Sequence, residues 1–181
     1  LANLTRQAAA DRRFESVEPW RVLEALKTSP LGGEEIVRRC RRHLGRLRHI
    51  FRREKLLTLP RQRLRVRLAR ATDRLQPPVP HVFYPRLIGN AGEPCEIVIP
   101  VTSDSGEAAG DWRFPAGTWC LTVHEGLPGH ALQCAALLER RVSLARRVFG
   151  YRAATTEGWA VYGESLVASF LPRDVRWLLV Q

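Results

Sequence analysis

Five histidines occur in the chain, and two of them bracket His124-Glu125-Gly126-Leu127-Pro128-Gly129-His130. A glutamate directly after a histidine, with a second histidine close by, is the raw material of a zinc hydrolase. Two imidazoles hold the metal and the carboxylate takes a proton from water. In the usual HExxH form the histidines are four apart, on one face of a helix. Here they are six apart, which on an ideal helix separates them by about 120°. An uninterrupted helix would fail as a ligand pair. Pro128 and Gly129 alter that conclusion, because proline removes a backbone donor and glycine tolerates unusual dihedrals. A local widening or kink at these residues would bring His130 round beside His124.

A catalytic zinc site normally needs a third protein ligand and an open position. The best candidate is Glu157, in Thr155-Thr156-Glu157-Gly158-Trp159-Ala160-Val161-Tyr162-Gly163-Glu164. It follows His130 by 27 residues, room for one helix to finish, turn and send back an antiparallel neighbour. Glu157 and Glu164 are seven apart and so lie on nearly the same helical face. One of them can ligate while the other accepts a hydrogen bond from a ligand imidazole. Tyr162 is a candidate hydrogen-bond donor to a developing oxyanion. Plainer readings account for the same residues. His124 could satisfy a buried group, Pro128-Gly129 could be a helix junction with His130 at its start, and Glu157 could simply favour a helix N-terminus.

Both segments, in this order, resemble the DUF885 family, whose members carry HExxPGH followed one residue later by LQ, and then EGWALYxE. The matching residues here are His124 to His130, Leu132-Gln133, and Glu157 to Glu164. The resemblance implies a predominantly helical zinc-dependent peptidase, related in outline to the glutamate-zincins, acting on a peptide or small amide. It implies His124, His130 and Glu157 as zinc ligands, Glu125 as general base and Glu164 in a supporting role. Many members have a further histidine where this chain has Ala131; other branches lack it, which favours His130 as the ligand. Members are usually much longer and continue well past the second motif. The resemblance therefore implies a partial catalytic core that packs against further parts of a longer chain. The absence of methionine, and a final segment reading like mid-helix, lead to the same expectation.

The elements that must position these residues form a mainly α fold, a helical zincin-like core with a small strand element. Residues 3–15 and about 19–27 are expected to be helical. A basic helix follows from Glu34 toward Pro60, with its apolar stripe at Ile36, Cys40, Leu44, Leu47 and Phe51. A second basic helix is expected over about Gln62 to Leu75, on Leu64, Leu68, Ala71 and Leu75. The proline-rich run 77–80 divides a helical segment, 1–76, from a partial catalytic segment, 77–181. In the second segment strands are expected around Val82-Phe83 and over Cys95 to Val101, and a loop over 102–110. Helices are expected over about 118–140 and 155–170, with another starting near Pro172.

Charge narrows the alternatives. The chain has 181 residues and a formal charge of +11, and residues 34–75 alone hold 15 basic and 4 acidic side chains. Residues 81–181, which contain the candidate site, have 9 basic and 10 acidic. No aromatic residues interleave with the arginines as base-stacking platforms require, so the stretch argues against a nucleic-acid module. Two other function classes stay open beside the hydrolase. One is a catalytically inactive helical interaction module; the other is a polyanion-binding protein using residues 34–75. No run of 18 apolar residues exists to span a bilayer. Four cysteines form no CxxC pair and read as ordinary buried thiols.

Overall fold

The computed structural model describes residues 24–73, 78–100, 110–140, 142–150 and 152–179. The expected helix over 3–15, most of the one over 19–27 and nearly all of the expected loop 102–110 lie outside these residues. The expected mainly α character holds: six helices and a three-stranded sheet are labelled here among the described residues.

Helix α1 (Gly33–Glu54) is the predicted basic helix. Glu34 and Glu35 occupy its first turn and Arg52 and Arg53 its last, each favourable to the helix dipole. Its buried stripe of Ile36, Val37, Cys40, Leu44, Leu47 and Phe51 recurs at helical spacing, and the arginines between stay wet. The helix stops at Lys55, which takes a left-handed conformation (φ 52°), before the expected end at Pro60.

The expected second basic helix is absent, and this is a correction. Residues Leu64–Leu68 form strand β1 instead, with Val66 buried between exposed Arg65 and half-buried Arg67. Leu-Arg-Val-Arg-Leu alternates with period two, so it suits a strand covered on one face. Strands β2 (His81–Phe83) and β3 (Cys95–Ile99) lie where strands were expected. The sheet order is β1-β3-β2, with β1 parallel to β3 and β2 antiparallel to it. Leu64 pairs with Cys95 and Leu68 with Ile99, so one sheet joins chain from both sides of the proline run. Central β3 is buried along its whole length, as the middle of a sheet covered on both faces requires.

The stripe of α1, one face of the sheet (Val66, Cys95, Ile97, Ile99) and Val123 and Leu127 share a single core. The cysteines are free; Cys40, Cys95 and Cys134 are buried and Cys120 half-buried. Burial pushes the Cys40 thiol up to about 11.

The helix expected over 118–140 is divided in two. Helix α2 (Gly117–Leu121) runs into a π-helical turn (Thr122–Gly126), and helix α3 (His130–Glu139) begins afresh after Leu127-Pro128-Gly129. Leu127 is extended, and the Leu127–Pro128 peptide is cis. Short α4 (Leu144–Phe149) leads to α5 (Ala153–Val167), and α6 (Arg173–Leu179) follows Pro172. No described helix is long and apolar enough to cross a membrane.

Candidate metal centre

His124 lies in the π-helical turn, whose wide hydrogen bonding appears as Leu127 N–H donating to the Thr122 carbonyl at 3.2 Å. Gly129 N–H then donates to the Val123 carbonyl at 3.0 Å, closing the break and setting His130 at the head of α3. Two glycines allow this fold-back. A Cβ on Gly129 would stand 1.7 Å from the His124 carbonyl oxygen. One on Gly126 would stand 3.0 Å from Leu44 and 3.1 Å from Ile97, so this glycine lets the turn lie on α1 and β3. The imidazoles of His124 and His130 meet edge to face, with ring centroids 4.7 Å apart. The junction reading of Pro128-Gly129 and the paired-imidazole reading therefore hold together: the chain breaks, and the break is what pairs the rings.

Helix α5 docks on the same turn. Trp159 Nε1 donates to the Pro128 carbonyl at 2.8 Å. Gly163 faces the proline ring so closely that a Cβ there would stand 2.8 Å from Pro128 Cγ. This docking aims two carboxylates, seven residues apart on one helical face, at the histidines. Glu164 Oε1 is 2.7 Å from His124 Nδ1, and Glu157 Oε2 is 3.2 Å from His124 Nε2. The same Glu157 oxygen is 3.5 Å from His130 Nε2.

Protonation follows from these contacts. The Glu164 carboxylate can only accept, so His124 Nδ1–H donates to it, and the neutral ring then presents a lone pair at Nε2. That lone pair faces a Glu157 oxygen which the second imidazole also approaches. Two imidazole nitrogens and one carboxylate oxygen thus converge, an arrangement that a proton on a ring nitrogen or a cation among them would satisfy. The Glu164 hydrogen bond is the main influence raising the His124 pKa, with the charges of Glu125, Glu164 and Glu157 adding to it. Burial and the neighbouring His124 lower that of His130. Glu125 is half-buried, and burial pushes its carboxyl up to about 7, in the range of a group that both takes and returns a proton near neutrality.

Ligand atoms of His124, Glu125 and His130 lie within 4.8 Å of one another, so this triad by itself can hold a metal ion. Glu157 also approaches both imidazoles, at 3.2 and 3.5 Å. Metal-ligand bonds of about 2.0–2.2 Å place tetrahedral ligands about 3.3–3.6 Å apart; the Glu157–His130 contact at 3.5 Å falls in that range and the Glu157–His124 contact at 3.2 Å is just below it. The donor set, two imidazoles and carboxylates, suits zinc or a similar borderline ion. The support around the two imidazoles is one-sided: His124 Nδ1 has Glu164, whereas His130 Nδ1 is buried with no partner among the described residues.

Tyr162 is the one expected site residue that the fold leaves outside the cluster. Five residues after Glu157 and two before Glu164, it points away from their face of α5. It is 57% exposed, with its ring against Trp159 at 5.8 Å. Tyr84 follows β2, the strand packed on the π-helical turn. Burial raises the Tyr84 phenol well above its ordinary value, and the charges of Glu125 and Glu157 add to this. Nothing local in the sequence marks Tyr84; only the β2–β3 pairing carries it there.

The profile of the DUF885 family, described as bacterial proteins of unknown function, matches residues 2–175. The chain belongs to this family. No curated protein matches significantly. Among solved structures, the DUF885 chain is similar to one titled "The crystal structure of the putative lipoprotein from Colwellia psychrerythraea". The TM-score is 0.74 at 19% identity, over 98% of this chain and 31% of the other. That likeness is one of fold. This DUF885 chain spans about a third of the length of the protein it resembles.

Proposed function

We propose that the chain carries the metal-binding core of a zinc-dependent hydrolase of zincin-like design, acting on peptide or related amide bonds. His124, His130 and Glu157 would hold the ion, and Glu125 would be the general base rather than a ligand. The observation that carries this reading is the convergence of two imidazole Nε2 atoms on one Glu157 oxygen, at 3.2 and 3.5 Å. Zinc in such a site supplies Lewis acidity, acidifying water and polarising a carbonyl.

The residues of the chain do the rest. Glu164 fixes the His124 tautomer so that Nε2 faces the ligand cluster. Glu125, with its carboxyl raised to about 7, accepts a proton from the attacking water and returns it to the leaving amine. Glu157 is 58% exposed, so the ligand cluster is open to solvent on its side, as substrate entry requires.

Two variants test the reading against a catalytically inactive core. The purified chain is expected to hold one zinc by elemental analysis, and His130→Ala to lose it. Glu125→Gln is expected to keep the zinc and abolish hydrolysis of a broad peptide library. Equal zinc in the starting chain and His130→Ala would overturn the ligand assignment. Retained hydrolysis in Glu125→Gln would overturn the base assignment.

A further inference from the structure

The concentrated basicity of residues 34–75 has no part in the metal centre, and the fold gathers much of it in one place. A groove of about 500 Å³ runs between α1 and the outer edge of β1. It is lined by Arg41, Arg48, Arg65, Arg67 and Arg70, with Glu96 the one carboxylate. Glu96 is already engaged: Arg67 Nε donates to it at 2.7 Å, and the same guanidinium holds Asp73 at 2.7 Å. Arg70 reaches Glu96 only at 3.9 Å. Among the described residues, Arg48 and Arg65 have no carboxylate partner. Such a cluster repels itself unless an anion covers it.

The strand edge sharpens what kind of anion fits. Arg63 accepts from Cys95 N–H, and Ala69 N–H donates to Ile99, so odd-numbered residues of this stretch turn their backbone groups toward β3. Even-numbered residues turn theirs to the open edge. Two of those outward carbonyls are already occupied. Arg41 donates to the Val66 carbonyl through Nε (3.2 Å) and Nη2 (2.8 Å), and Arg67 donates to that of Leu68 at 3.1 Å. An added peptide strand would need acceptors and donors in alternation, and two of the edge acceptors are taken. What remains is a concave surface of guanidinium and amide donors.

We infer that this groove is a binding site for a compact, multiply charged oxyanion of the oligophosphate class. Guanidinium forks and edge amides match phosphoryl oxygens, which only accept. The volume lies within the roughly 300–1,000 Å³ of ordinary ligand clefts, and a concave site favours a small soluble anion over a flat membrane surface. The inference is independent of the hydrolase reading.

The test is calorimetric titration of the 181-residue chain with sodium tripolyphosphate, alongside an Arg48→Ala/Arg65→Ala double variant. A charge-matched control, Arg42→Ala/Arg53→Ala, removes two α1 arginines that do not line the groove. One saturable site is expected in the starting chain and the control, and at least about ten-fold weaker binding in the groove variant. Thermal unfolding of all three establishes that each is folded. Absence of saturable binding, or an equal loss in the control, would overturn the inference. So would binding to anionic vesicles or DNA with none to tripolyphosphate, which would mark a diffuse basic surface.

Discussion

Replacing Gly129 with alanine is the severest single test of how the histidines are paired. The added Cβ would lie 1.7 Å from the His124 carbonyl oxygen, 2.5 Å from its carbon and 2.6 Å from the Val123 oxygen. Cβ atoms essentially never approach closer than 3.0 Å, so the backbones must part by more than 1 Å. No flexible side chain can yield, because every atom met is backbone. Overpacking ordinarily costs about 1–3 kcal/mol; with only backbone to move, about 3 kcal/mol is expected. In a domain of this size that corresponds to a fall of roughly 6–12 °C in melting temperature. The shift passes directly through His124, and ligand distances tolerate only about 0.2 Å, so zinc affinity should fall at least about 100-fold. Gly158→Ala is the control, since nothing lies within 4 Å of a Cβ there. In the interior of α5 it should stabilise by up to about 1 kcal/mol. The assays are calorimetric melting and competitive chelator titration. A Gly129→Ala protein that melts within about 2 °C of the starting chain and keeps its zinc affinity would refute the fold-back.

Three further outcomes are expected. Glu164→Gln should weaken zinc about 10–100-fold in the same chelator titration, with little change in melting, because it alters only the partner of His124 Nδ1. Arg67→Ala leaves Glu96 and Asp73 without their shared guanidinium and should cost about 3–5 kcal/mol in urea unfolding. His43 governs an acid limb of stability. It stacks on Trp119 at 3.7 Å, and its Nε2–H donates to Thr118 Oγ1, whose own proton goes to the Pro115 carbonyl. The buried Nδ1 has no partner among the described residues, and burial, with Arg46, Arg39 and Arg42 nearby, lowers the pKa to about 3. Between about pH 6.5 and 3 the unfolded chain binds a proton that the folded chain refuses. Stability from this source is therefore full above 6.5 and lost as pH falls toward 3, by up to about 5 kcal/mol. His43→Phe should flatten that limb in urea unfolding across this range.

The stripe of α1 was legible because 22 residues of helix repeat one pattern many times. Residues 62–75 were not. Leu64, Leu68 and Ala71 fit a helical face, and Leu64, Val66 and Leu68 fit a strand equally well over so short a run. What decides is the free edge of β3, some thirty residues further on, which no local pattern contains. The motif at 124–130 gave the ligand types, yet two different conformations of Pro128-Gly129 could pair the rings. In the structure Pro128 packs against Gly163 and accepts from Trp159 of α5, contacts that no local pattern contains. Tyr162 was misplaced for a related reason: nearness along the chain to Glu157 and Glu164 is not nearness on the helix.

The proposed ligands come from two pieces of chain, the π-helical turn with the head of α3 and helix α5, which meet at the Trp159 hydrogen bond, the Gly163 contact on Pro128 and the Glu164–His124 hydrogen bond. Neither piece holds the full set by itself. Any ion bound across them is therefore also a cross-link, and its binding free energy is spent in part on keeping α5 seated. Stripping the ion would loosen α5, which keeps its own packing through Ala160 and Val167, more than the sheet and α1. In hydrogen exchange after chelation, the amides of α5 would lose protection well before those of β3.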